Sequence, residues 1–147
     1  MARFRSGFER LIELRESQEQ QAKAAVAGAA AEELRRAGEL DEARSRLQLA
    51  GQMLRGAGQT QAGQLAAAAA FVGRLKQERA GAESRLVEAQ HQRQVRSAEA
   101  VACWQATRTL EVLRSRRHEL WLRRQAAAEQ REIDDMTAAG WQGRARW

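Results

Sequence analysis

The stretch from Gln64 to Ala139, QLAAAAAFVGRLKQERAGAESRLVEAQHQRQVRSAEAVACWQATRTLEVLRSRRHELWLRRQAAAEQREIDDMTAA, decides the fold. It holds no proline, nor does any other part of the chain, so nothing imposes the lost hydrogen bond and ring clash that break helices. Ala, Leu, Gln, Glu and Arg dominate, and these lose little rotamer freedom in a helix. Read as one helix at ~1.5 Å per residue, the stretch would reach roughly 110 Å. That exceeds the width of a compact globule of 147 residues. Another element must therefore lie alongside it, and the expected shape is a rod.

The composition agrees. The chain is 44% hydrophobic yet only 5% aromatic, with no tyrosine, and its mean hydropathy is −0.65. Alanine carries much of the apolar count and buries little area per residue. With 30% charged residues, this is the make-up of a coiled coil or long helix rather than of a domain with a thick core. The net charge of +6 raises anionic partners, but 25 basic residues are interleaved with 19 acidic ones, the pattern of a solvated helix face. Cys103 is alone, so neither an internal disulfide nor a cysteine zinc site can form, and a reducing cytosolic setting fits best. Met1-Ala2-Arg3-Phe4 opens no signal peptide and no apolar run approaches a membrane span, so the chain reads as soluble.

Outward from the long stretch, Phe4, Phe8, Leu11, Ile12 and Leu14 recur at helical spacing and mark a first helix, with Ser6 and Glu9 as an S-x-x-E capping box. Its middle is thin, with alanines around Val26. Leu40, Ala43, Leu47, Ala50 and Leu54 then alternate threes and fours, a heptad seam. Gly51, Gly56, Gly58 and Gly63 crowd together around Gln59 and Thr60, which places a turn. Short connections make antiparallel neighbours. The expectation is an all-α fold: a long antiparallel two-helix coiled-coil hairpin with an overhanging C-terminal helix. As a single domain over 1–147, it has helix one at about 4–54, a turn at about 55–61, helix two at about 62–139, and a frayed tail over 140–147 begun by Gly140.

In the second helix Leu65, Ala68, Val72, Leu75, Ala82, Leu86 and Ala89 form one seam, while Cys103, Ala106, Leu110, Leu113 and Leu120 form another. Their phases differ, which predicts a stutter between about Gln90 and Cys103. A turn centred near residue 58 pairs position i with about 116 minus i. Phe8, Leu11 and Ile12 then meet Trp104 and Thr107 to Arg108, and helix one runs out opposite Val112. Trp121 and Ile133 to Met136 project unpaired.

Chemistry is scarce. A hairpin offers no concave site to hold reacting groups away from water. His91 and His118 stand apart without ligand partners and read as solvated surface histidines. Cys103 reads as a small seam hydrophobe. Asp134 and Asp135 are adjacent, hence ~100° apart around a helix, poor geometry for a carboxylate pair. No phosphate-binding glycine loop occurs. The chain reads as a non-enzyme with no cofactor. Two features ask for partners instead: the Arg-rich far end of helix two with its Trp and hydrophobic positions, and Phe71, a lone Phe just past the turn with Leu75 one helical turn on. Leu75 and Phe71 are either seam residues or a small exposed patch.

Both ends of the chain resemble one family. FRSGFERLIELRESQEQQAKAAV (4–26) and ELWLRRQAAAEQREIDDM (119–136) are similar to the opening and closing of the FliJ proteins of flagellar type III export and their injectisome relatives of the YscO type. The resemblance implies a cytoplasmic protein, peripheral to the inner membrane at the export apparatus, similar to the central stalk of rotary ATPases. It implies that the paired chain ends bind the export ATPase ring (FliI type), through Phe4, Phe8, Leu11, Ile133, Asp134, Asp135 and Met136. Phe71 and Leu75 match the F-x-x-x-L element associated with the export gate membrane protein (FlhA type), and a role with export chaperones is also implied. Two other readings stand beside it: a nucleic-acid-binding coiled coil using the Arg-rich end, and a purely structural coiled coil that self-associates.

Overall fold

The computed structural model describes residues 4–5, 7–58 and 61–144, with side chains as far as Trp141. Ser6 of the expected capping box, Gln59, Thr60 and Trp147 lie outside the described residues. Two helices, α1 (Glu9–Gly56) and α2 (Ala62–Arg144), pack against each other as an all-α hairpin, with no strand among the described residues.

The first helix begins later than the periodicity suggests. Gly7 takes a φ of 77°, a left-handed turn that bends the chain just before Phe8. The Phe8 carbonyl then accepts the Ile12 N–H at 2.8 Å and opens α1, with Glu9 favourably placed in the first turn. The connection holds Gly58 at a φ of 36°, and the Gln61 carbonyl accepts the Leu65 N–H at 3.1 Å to open α2. Gly140 does not end α2, which continues to Arg144. Gly140 has no positive φ, and a single helical glycine costs only about 1 kcal/mol when no proline follows to enforce a stop.

Contacts group the chain into two units. One, the turn unit, is Glu19–Ala102; the other, the terminal unit, is Met1–Gln18 with Cys103–Trp147.

In the turn unit the core is Leu40, Ala43 and Ala82, with Leu86 packed against them. Alanine at alternate layers keeps it thin, and no side chain among the described residues is wholly enclosed. Heptad positions a and d explain the burial. On α1, a falls on Val26, Glu33, Leu40 and Leu47, and d on Ala29, Arg36, Ala43 and Ala50; every one is at least partly buried. On α2, a falls on Val72, Arg79, Leu86 and Arg93, and d on Leu75, Ala82, Ala89 and Arg96; all but the two last arginines are covered. Arg79 shows how a charge survives there: its buried Nε has no hydrogen bond but lies 3.6 Å from the Glu83 carboxylate.

Cross-helix ion pairs fix the pairing. Glu33 meets Arg93 at 2.9 Å on the a layer, Glu39 meets Arg85 at 3.7 Å on the g flank, and Arg44 meets Glu83 at 3.7 Å on the e flank. The numbers in these pairs add to between 124 and 127, not to 116. The expected facing rule was displaced because residues 62–67 of α2 are all exposed, so pairing starts about two turns into that helix rather than at the connection.

In the terminal unit Ile12 and Thr107 are buried, and Cys103 and Leu110 partly so. The Thr107 hydroxyl is satisfied by donating to the Cys103 carbonyl at 3.1 Å. Thr107, not Ala106, takes the seam position, so α2 keeps the heptad phase set at Val72 and there is no stutter. Arg93 and Arg96 occupy seam positions and hide the repeat from a hydrophobicity reading, while Ala106, Leu113 and Leu120 are g residues flanking the seam.

Candidate partner-binding surfaces

The corrected register decides what surrounds each expected site residue. In the terminal unit, Phe8 meets Arg117, whose guanidinium lies 4.2 Å from the ring centroid, rather than Trp104 or Arg108. Phe4 packs edge-on against His118 with ring centroids 4.9 Å apart, and against Trp121 at 5.7 Å. His118 and Trp121 stack at 6.0 Å, one helical turn apart on α2. Trp121 is therefore covered by the chain's own start, and the N-terminal segment reaches well past Val112. His118 is an exposed residue in an aromatic cluster rather than a merely solvated histidine. Sequence reasoning missed this cluster, although carrying the Val72 phase forward puts Trp121 on an a position.

Ile133, Asp134, Asp135 and Met136 are all exposed on α2. They start about three helical turns beyond Trp121, so the structure does not bring them to Phe4, Phe8 and the half-exposed Leu11. Local bonds hold this segment in shape: Gln130 Nε2 donates to Asp134 at 2.8 Å, and the Thr137 hydroxyl to the Ile133 carbonyl at 2.7 Å. Leu122, Ile133, Met136 and Trp141 all present exposed apolar surface along this stretch. A helix that exposes large apolar side chains without a neighbour has the character of a binding segment.

In the turn unit, Phe71 and Leu75 part company. Leu75 is 5% exposed at a d position, whereas Phe71 is 47% exposed at a g position on the flank. The Arg74 guanidinium lies 5.8 Å from the Phe71 ring. Leu75 fixes the helix against α1, and Phe71 faces outward beside that anchor.

Electrostatics elsewhere are those of a solvated surface. Glu32 accepts from Arg35 at 2.7 Å and from Arg36 at 2.7 Å, and these bonds, Arg35 first, hold its carboxyl below the usual range. The pKa values of both guanidinium groups are raised in turn, Arg35 chiefly by its bond to Glu32 and Arg36 chiefly by the one it donates to Glu39 at 3.0 Å. Among the described residues no His, Cys, Asp and Glu group is arranged to hold a metal ion, and no helix is long and apolar enough to cross a membrane.

A family model described as "Flagellar FliJ protein" matches residues 4–146. No curated protein and no solved structure matches the chain.

Proposed function

The chain belongs to the FliJ family, which makes it a component of the flagellar protein export apparatus, and from that premise we propose a central-stalk-like role. In this reading the protein binds the export ATPase ring (FliI type) through its terminal unit and links it to the export gate membrane protein (FlhA type) through its turn unit. It acts in the cytoplasm, peripheral to the inner membrane, and also escorts export chaperones. The ring contact uses Phe4, Phe8, Leu11, Ile133, Asp134, Asp135 and Met136; the gate contact uses Phe71, with Leu75 holding it in place. The work is mechanical and recognitional, with no bond made or broken by this chain.

One observation carries the proposal: α2 runs on to Arg144 past the last α1 neighbour, with Ile133 and Met136 exposed. A lone amphipathic helix is marginal in water and gains stability when another molecule covers it. The arginines at 114, 116, 123, 124 and 131 add a basic surface that suits an acidic pore, through contacts that are salt-sensitive and individually weak. Nucleic-acid binding is supported less, because Trp121 and His118 are engaged by Phe4 and so cannot serve as free stacking platforms.

The test is truncation before Ile133, assayed as stimulation of a purified FliI-type ATPase. Stimulation should be lost, with helicity reduced only in proportion to the residues removed. Full stimulation by the truncated chain would remove Ile133 to Met136 from the ring contact.

A further inference from the structure

One flank of the terminal unit carries an apolar strip built from both helices. Ile12 is buried at a, so Leu11 before it is a g residue, and Leu113 and Leu120 hold g on α2. Phe8 meets Arg117 and Phe4 meets Trp121, numbers that add to 125, so Leu11 comes level with about Leu113. Two g residues at one level share a flank, as Glu39 and Arg85 do in the turn unit. Leu14, three residues on from Leu11, widens the strip on α1. All four leucines are between 40% and 54% exposed.

Arginines border the strip. Arg116 and Arg117 stand three and four residues after Leu113, and Arg123 and Arg124 three and four after Leu120, so cations lie on both sides of the leucine line. Arg131 stands four after Ala127, the next g residue. Among the described residues Arg116, Arg123, Arg124 and Arg131 have no carboxylate within ion-pair distance, and Arg117 lies over the Phe8 ring. The acids between Cys103 and Arg131 are Glu111, Glu119 and Glu129, at e, f and b, on other sides of the helix. On α1, Glu9, Glu13 and Glu16 fall at e, b and e, likewise off this flank. At ~1.5 Å per residue, the strip from Leu113 to Arg131 runs roughly 27 Å.

Exposed leucines bordered by arginines have the make-up of a helix face that lies on an anionic bilayer, whose recognition draws on clusters of roughly four to eight cations. A bilayer also accepts a straight ridge without a matching groove. A nucleic acid would engage the arginines and leave the leucines idle. A second copy of this chain would bring the same cations against themselves. We propose that the four leucines rest on the acyl boundary of an anionic lipid bilayer while the arginines around them bind its headgroups. This goes beyond the ring contact, which keeps Ile133 to Met136, and gives the chain a hold on the membrane of its own.

The experiment is flotation of the full chain with vesicles of phosphatidylcholine alone and of phosphatidylcholine mixed with phosphatidylglycerol, at two salt concentrations. The chain should float with the mixed vesicles, less so at higher salt, and stay behind with the neutral ones. Arg123→Gln with Arg124→Gln should weaken binding about fivefold per arginine removed. Leu113→Glu with Leu120→Glu should weaken it about tenfold or more. Val112→Glu with Leu122→Glu adds the same charge at similarly exposed f and b positions on the far side of α2, and should cost about twofold at most. All these side chains are exposed, so thermal melts of the variants should stay within a few degrees of the parent. Truncation before Ile133 should leave flotation in place while abolishing ATPase stimulation, so the two contacts can fail separately. Absence of flotation with the mixed vesicles, equal flotation with neutral ones, or equal losses from the two leucine-flank and far-side pairs would overturn the proposal. Binding to DNA that Leu113→Glu with Leu120→Glu leaves intact, without flotation, would make the occupant a nucleic acid and overturn it as well.

Discussion

Replacing Glu33 and Arg93 together by leucine should make the protein more stable. These residues face each other on the a layer, 2.9 Å apart, with side chains 22% and 53% exposed. An ion pair this wet contributes at most about 1 kcal/mol. Leucines in the same positions would continue the Leu40–Leu86 layer and recover about 1–2 kcal/mol each for partial burial. The net gain is about 1–3 kcal/mol, which for a chain of this size raises the melting temperature by roughly 3–10 °C. Leu, Arg and Glu have similar helix propensities, so helix formation itself would not account for the rise. Arg93→Leu alone should gain much less, because it strands the Glu33 carboxylate at a partly covered site. Gln94→Leu, one position off the seam, should change stability by less than about 0.5 kcal/mol. The assay is thermal and urea unfolding followed by circular dichroism, at two protein concentrations so that self-association is visible. A double variant that melts no higher than its parent would mean residue 93 is not on the seam. The continuous heptad phase would then be wrong.

Two other outcomes follow from the structure. Phe4→Ala should uncover Trp121, seen as a red-shifted tryptophan emission in a chain where Trp104, Trp141 and Trp147 are changed to Phe, and should cost no more than about 1–2 kcal/mol; an unshifted spectrum would place Phe4 elsewhere. The Glu32 carboxyl should titrate below an ordinary glutamate in an NMR pH series, and Arg35→Gln with Arg36→Gln should return it to the usual range. Its folded pKa is depressed, so the stabilisation it lends is present above the unfolded value near 4.5 and is lost as pH falls through the folded one. A midpoint at or above the ordinary value would contradict the two-arginine clasp.

Much of the hairpin is legible in residue spacing because leucine and alanine alternate cleanly from Leu40 to Leu54, and glycine clusters where the chain reverses. What the spacing conceals has physical causes. Arg15, Glu19, Glu33 and Arg36 on α1, and Arg79, Arg93 and Arg96 on α2, hold seam positions with charged heads reaching outward, so a reading by hydrophobicity skips them. Thr107 lies buried with its hydroxyl satisfied inside the helix, so the more apolar Ala106 attracts attention instead. The alanines after Ala62 signal helix equally well whether or not they are packed, so nothing local marks where pairing begins. That single ambiguity moved Phe8 from Trp104 to Arg117. Phe71 stands out as an aromatic in an alanine run.

The charged pairs across the turn unit also act as an index. A seam of small, repeating residues would tolerate sliding one helix by a heptad, since alanine would again meet alanine or leucine. Sliding one way would set Glu39 against Glu78, Arg44 against Lys76 and Glu33 against Leu86; the other way would leave all three opposite uncharged residues. Each pair is feeble as a fastener, yet together they leave the two strands of the zip a single correct tooth at which to close.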